Sequence, residues 1–481
     1  MEGDYKVRLK SVKIEDIQIA AIIAIFILSA SDQNRIFPGM AILAIFFLYL
    51  NIRNIKRHGI AIPKIAVALL VFQNFSIGIG AHMGGYDGNG LSFVTQIPTL
   101  FIGISCFFVL LNEKLERRDM IYLLYVVLCF LFFFRGTGSI TDKVTYFRNF
   151  ILFYMAFCLG RYYLKQESEM RDFIQFFMKL AVLAALFGLL GMFLGTDFYH
   201  KIGVMEVYTA KHYVSFRNNL PGNFYTIIFG KWVSRLASFY YEPVNFSYFM
   251  ALACILAFVS RKRFLFFFFL LCEILTFGKG GYLILGLTFI CYILQKLLGQ
   301  YNQKYVRRGI LICAVLSMAV LVYVVQTYFT HDFGTYNHFY GIYTGLRAVR
   351  KSPWGNGLGS AGNLIKTIYF SSQDISETGL VNMAYQIGIP GTVLFMGLII
   401  SMAGVVFQKY RNTNARIYMV FSFVPFIIII ASVFQENTIT PQCITGYMLV
   451  LGGLNYKNKN QGIPYLKGDR WKKEPMISYF T

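Results

Sequence analysis

Along most of this chain, stretches of about 20 apolar residues alternate with short polar or basic connectors, the length that spans the hydrocarbon core of a bilayer. Inside hydrocarbon, each backbone N–H and C=O needs a partner within the protein, so such stretches fold as helices. Candidate spans fall at 15–31, 36–51, 62–80, 92–111, 120–134, 149–162, 174–195, 236–259, 264–278, 280–298, 309–328, 378–406, 417–435 and 438–455. Only 14% of the residues are charged, against about 25% in an ordinary soluble domain, and the mean hydropathy is +0.54. A soluble enzyme is excluded. The expected fold class is all-α: a polytopic integral membrane bundle of 12–14 transmembrane helices.

The net charge of +22 would suggest nucleic acid in a soluble protein, but here the basic residues sit in connectors between spans. Orientation by the positive-inside rule explains them, and no nucleic-acid partner is expected. With the N-terminus inside, 30 of the 45 Lys and Arg residues fall in cytoplasmic segments, 14 fall outside, and Lys179 lies within a span. Both termini are then cytoplasmic, in a multi-pass protein of the cell membrane. Residues 1–195 carry the N-terminal spans, 196–235 a first large extracytoplasmic loop, and 236–328 the central spans. A second large loop covers 329–377, the last spans 378–455, and a basic cytoplasmic tail 456–481. The eight cysteines all lie in apolar segments without metal-ligand or redox spacing, so neither a disulfide framework nor a metal site is expected.

Loops of this length without secondary structure are uncommon unless they are functional or disordered, and both are rich in aromatics, His and Gly rather than low in complexity. Five of the six histidines (His82, His200, His212, His331 and His338) lie on the same expected side. The chemistry is expected on the extracytoplasmic face.

A charge at bilayer depth costs about 2.5–3.5 kcal/mol on insertion scales and is normally paired or functional. Arg235, Glu242 and Asn245 cluster at one span entrance, and Lys279 tips the hairpin Leu275-Thr276-Phe277-Gly278-Lys279-Gly280. Arg235 and Lys279 each have a plain reading as side chains reaching headgroup phosphates. Glu242 has one as an ion-pair partner of Arg235, and Glu377 as an acid favoured by the dipole of a helix start. Glu273, deep in a span, reads as a paired structural residue. The glycine-rich run Gly355 to Gly362 lacks the Lys-Ser/Thr of a nucleotide-binding loop. Taken together, cations at 235, 279 and 347, a histidine at 338 and an acid at 377 suit a doubly negative leaving group plus a base. No acidic pair or His/Cys set of metal-ligand spacing accompanies them, so fixed cations would do the work of a divalent ion.

At these places the sequence resembles the O-antigen ligase and Wzy-type polysaccharide polymerase family. An Arg ahead of an aromatic–Glu–Pro segment is matched by Arg235 before Glu242-Pro243, and Leu-Thr-x-Ser-Arg-Gly by Leu275 to Gly280. Pro-x-Gly-x-Gly is matched by Pro353-Trp354-Gly355-Asn356-Gly357, and a Glu-Ser pair with a following Gly-x-x-Gly by Glu377-Thr378 and Gly388 to Gly391. The likeness covers residues 235–400. Lys279 replaces the usual Arg, and Glu377 stands where the ligase branch has His, which favours the polymerase branch.

The resemblance implies a GT-C-like glycosyltransferase with a lipid-linked donor. Undecaprenyl-pyrophosphate-linked repeat units serve as donor and acceptor in capsule, exopolysaccharide or O-antigen synthesis, with no cofactor or metal. Glu377 and His338 are the implied catalytic residues; Arg235, Lys279, Arg347, Arg148 and Glu242 bind the pyrophosphate and substrate. Membrane lipids, a flippase and a chain-length regulator are the implied partners. Two alternatives stand beside this reading. One is a ligase of the same family transferring finished polymer; the other is a lipid-linked oligosaccharide flippase, against which the lack of an internal repeat counts.

Overall fold

The computed structural model describes residues 14–57, 61–84, 94–210, 216–228, 230–298, 333–362 and 378–456. It is 83% helical. The helices are α1 (Ile14–Ala30), α2 (Gln33–Arg57), α3 (Ala61–Gly84), α4 (Ile97–Asn112), α5 (Arg117–Arg135), α6 (Ile140–Tyr163), α7 (Glu167–Leu194), α8 (Thr196–Lys201) and α9 (Val204–Ala210). They continue with α10 (Pro243–Val259), α11 (Arg263–Thr276), α12 (Lys279–Leu298), α13 (Phe333–Lys351), α14 (Gly379–Thr413), α15 (Arg416–Phe421), α16 (Val424–Phe434) and α17 (Pro441–Asn455). Among the described residues, six segments are long and apolar enough to cross a membrane: Asn34–Arg53, Ala61–Gly84, Glu167–Leu194, Lys279–Leu297, Gly379–Thr413 and Arg416–Phe434. This is a helical bundle suited to a multi-pass membrane protein.

Every candidate span except 309–328, which lies outside the described residues, falls on helix, with informative differences at the ends. The helix expected at 149–162 starts at Ile140, because Ser139 caps it: its Oγ accepts from the Asp142 N–H at 3.1 Å and donates to the Asp142 carboxylate at 2.6 Å. The span expected over 417–435 divides into α15 and α16, and a 3-10 turn at Glu436–Ile439 precedes α17.

The all-α expectation needs one amendment. The loop at 196–235 carries α8 and α9 followed by two short antiparallel hairpins, β1 (Phe216–Arg217) with β2 (Leu220–Pro221) and β3 (Tyr225–Ile228) with β4 (Lys231–Ser234). Asn218 and Asn219 form the first turn with φ of 46° and 58°, the left-handed pair that a tight two-residue hairpin demands.

Helix contacts rest on small residues. A Cβ on Gly160 of α6 would run into the Leu449 backbone of α17, and one on Gly452 would meet the Phe157 carbonyl and the Arg161 N–H. Only glycine lets these two backbones approach so closely. The connections gather at two ends of the bundle. One end holds buried or half-buried ion pairs: Arg161 with Asp119, Arg118 with Glu116, and Lys64 with Asp172. The other, the loop end, gathers the α5–α6 and α11–α12 connections, the 196–240 segment, the glycine turn after α13 and the α16–α17 turn.

Candidate functional site

At the loop end, the tip of the α11–α12 hairpin is held from several sides. The Thr276 Oγ1 accepts from the Gly278 N–H, and Ser247 Oγ of α10 donates to the Gly278 carbonyl while accepting from the Gly281 N–H. A side chain on Gly278 or Gly281 would occupy the place of Ser247, and one on Gly280 would occupy that of the Tyr248 hydroxyl and Gln435 Oε1. Lys279 begins α12 from this tip with its side chain exposed. There its charge adds to the positive field of the helix N-terminus, which favours an anion in front of it.

Arg235 is the brace of that tip. Its Nε donates to the Thr276 carbonyl at 2.8 Å, and its two terminal nitrogens donate to the carbonyls of Phe277 at 3.2 Å and Asn223 at 3.1 Å. The adjacent Leu236 N–H reaches the Leu275 carbonyl at 2.9 Å. Burial pushes the guanidinium pKa down, opposed by Tyr208, Tyr282, Glu242 and Glu273 nearby. It remains a cation at neutral pH, with two of its five N–H groups outside these carbonyl contacts.

Glu242 does not form the ion pair with Arg235 that one sequence reading allowed. It stands at the N-cap position of α10 without a side-chain bond to the helix backbone, and accepts from Asn245 at 3.0 Å and Asn437 at 3.2 Å, because the turn after α16 brings Asn437 across the helix start. Asn245 also donates to Gln442 at 2.8 Å, so four amide and carboxylate side chains satisfy one another. Glu273, expected to be paired, is fully buried with Ser247 on one oxygen at 3.2 Å and no hydrogen-bond partner on the other.

The second half of the site is a clasp between the glycine turn and α14. The Asn356 and Gly357 N–H groups donate to the carbonyls of Tyr385 and Gln386 at 2.8 and 2.9 Å, and the Ile389 N–H donates to the Pro353 carbonyl at 2.9 Å. Gly388, with φ of 74°, breaks the regular course of α14 where the clasp closes, and any Cβ there would press on Trp354. On its other side the turn meets α5, with the Leu358 N–H on the Phe132 carbonyl at 2.9 Å.

Between the two halves lies Glu436, which the sequence reading passed over. Its Oε1 accepts from the Tyr146 hydroxyl at 2.6 Å and from Asn382 Nδ2 at 2.9 Å. Asn382 in turn accepts from Gln386 at 2.7 Å, and Gln386 reaches the turn itself, at the Gly359 N–H and the Ala361 carbonyl, both at 2.8 Å. The signal is the polar run Gln435-Glu436-Asn437-Thr438 between two strongly apolar stretches, of which only Glu436 and Asn437 fall between the expected spans.

The remaining expected residues among those described stand on other helices. Arg148 turns along α6 to Asn149 at 3.2 Å and the Thr95 carbonyl at 3.4 Å. Arg347 is exposed on α13, and the backbone of His338 belongs to the same helix. Glu377 lies outside the described residues, but Thr378 and Gly379 directly after it open α14 beside the Gln435 carbonyl and Glu436. Among the described residues, no group of three or more His, Cys, Asp and Glu side chains is placed to hold a metal ion. No family model, curated protein or solved structure matches this chain.

Proposed function

We propose that this protein is a polysaccharide polymerase joining undecaprenyl-pyrophosphate-linked repeat units at the outer face of the cytoplasmic membrane. One observation carries the reading. Motifs separated by tens to hundreds of residues interlock at one end of the bundle: Arg235 on the Thr276–Phe277 carbonyls, Pro353–Gly357 on Tyr385–Ile389, and both beside the Gln435–Asn437 turn.

In this reading the acceptor hydroxyl oxygen attacks the anomeric carbon as the bond from that carbon to the diphosphate oxygen breaks, with inversion. The electron pair leaves on the lipid diphosphate and the proton passes to Glu377, assisted by His338. Lys279 meets the diphosphate at headgroup depth, with Arg347 and Arg148 as further cations. Arg235 holds the Lys279 tip in place and offers its two uncommitted N–H groups. Glu242 is better suited to shaping the acceptor side through Asn245 and Asn437 than to contacting an anion. Fixed positive charge aimed at a developing negative charge is the largest single contribution such a site can make.

A strain deleted for this protein tests the proposal. Single lipid-linked repeats accumulating at the outer leaflet are the expected result. Repeats held on the inner leaflet would indicate a flippase, and long lipid-linked polymer a ligase.

A further inference from the structure

The four glycines of the turn, Gly355, Gly357, Gly359 and Gly362, all have φ between 74° and 113°. Glycine reaches these values freely, but for the same reason it does not hold them, so the turn needs a clamp from outside. The main-chain contacts with Tyr385, Gln386 and Phe132 fix its first half. Its second half, Gly359 to Gly362, is held by side chains: Gln386 on both Gly359 and Ala361, with Tyr146 and Asn382 packed against Gly362. Each of these side chains leads back to one carboxylate, that of Glu436, which binds Tyr146 and Asn382 at the same oxygen. All four side chains are buried. The amide of Gln386 is oriented because Asn382 Oδ1 accepts from it, and Asn382 is oriented because its Nδ2 donates to Glu436. An acceptor at position 436 therefore fixes two successive amides and, through them, the turn.

We propose that Glu436 is a positioning residue of the site, setting the Gly359–Gly362 half of the glycine turn through the Asn382–Gln386 relay. Its functional part rests on the polymerase reading; its structural part does not. The same segment touches the start of α14, since a Cβ on Gly379 would lie 3.1 Å from the Gln435 carbonyl and 3.3 Å from the Glu436 Cα. Glu436 thus sits beside the first residue of α14 and two side chains away from the glycine turn.

The test uses the full-length protein in nanodiscs, with hydrogen exchange at the Gly359 amide read beside chain extension from lipid-linked repeats. Glu436→Leu removes the acceptor and is expected to raise exchange at Gly359 by about tenfold or more. It should lower kcat while leaving the donor KM within about twofold. Glu436→Gln keeps a carbonyl for Tyr146 and Asn382 and is expected to restore both readouts. Should Glu436→Leu not fold, Asn382→Ala breaks the same relay one link further on. Unchanged exchange at Gly359 in the Leu and Ala variants overturns the relay, and raised exchange with kcat intact overturns the positioning role. A wild-type protein without extension activity ends the polymerase reading instead, and the exchange contrast then decides the relay alone.

Discussion

Two clusters at opposite ends of the bundle hold charge in opposite ways. At one, Asp119 is fully buried: a single Arg161 nitrogen donates to both of its oxygens at 2.9 Å, the Tyr154 hydroxyl to one at 2.8 Å and the Glu116 N–H to the other at 2.7 Å. Glu116 lies between Arg118 at 2.9 Å and Arg161 at 3.5 Å, and Arg118 continues to Asn455 at 3.0 Å. Charge there meets opposite charge. At the loop end Arg235 meets three carbonyls and Glu242 two amides. A charge neutralised by its neighbour is fold glue with little field left over. A charge solvated by fixed dipoles keeps its field for whatever enters, which is what a site for an anionic lipid requires.

Substitutions at four residues press on that contrast. Glu377→Gln should have the largest effect, lowering chain extension by about 10²–10⁴-fold while thermal stability and donor binding stay near wild type; retained extension removes Glu377 as the base. Arg161→Ala, at the opposite end, should cost about 3–5 kcal/mol because Asp119 is left buried without its cation. Thermal unfolding in detergent measures this, and activity per folded molecule should be preserved. A small shift there would mean that the ion-paired end is not held by its charges. Arg235→Lys should come next: a single ammonium cannot span the carbonyls of Asn223, Thr276 and Phe277, and losing hydrogen bonds from a charged donor costs about 1.5–3 kcal/mol each. Both stability and donor affinity should fall together, since the hairpin tip loosens. Lys279→Ala should have the smallest structural effect, weakening donor binding without changing the melting temperature, whereas Lys279→Arg should bind as well as wild type. A stability loss for Lys279→Ala as large as that for Arg235→Lys would erase the distinction between brace and ligand.

The helices were legible because hydropathy is a local property. The starts of α3, α12 and α14 fall within a residue or two of the expected spans. Capping moved the start of α6 to Ile140, since a Ser-Asp pair extends a helix past the end of its apolar run. Arg235, Glu242, Lys279 and the glycine run were legible as residues needing an explanation, because charge or glycine beside a span is costly without one. Their partners were not. Arg235 has the composition of an anion ligand and the geometry of a brace, and no local pattern separates the two.

The residues alone determined that this chain folds as helices apolar and long enough to cross a membrane and where its polar exceptions stand, because hydropathy and length belong to each segment by itself. Only the tertiary structure decided which exceptions meet. Tyr146 and Glu436, hydrogen-bonded at 2.6 Å, are 290 positions apart in sequence, and Arg118 and Asn455 are 337 apart. Those pairings depend on how the helices stack, down to glycines such as Gly160 and Gly452 that let α6 and α17 touch, and helix stacking is a property of surfaces in contact rather than of any one segment.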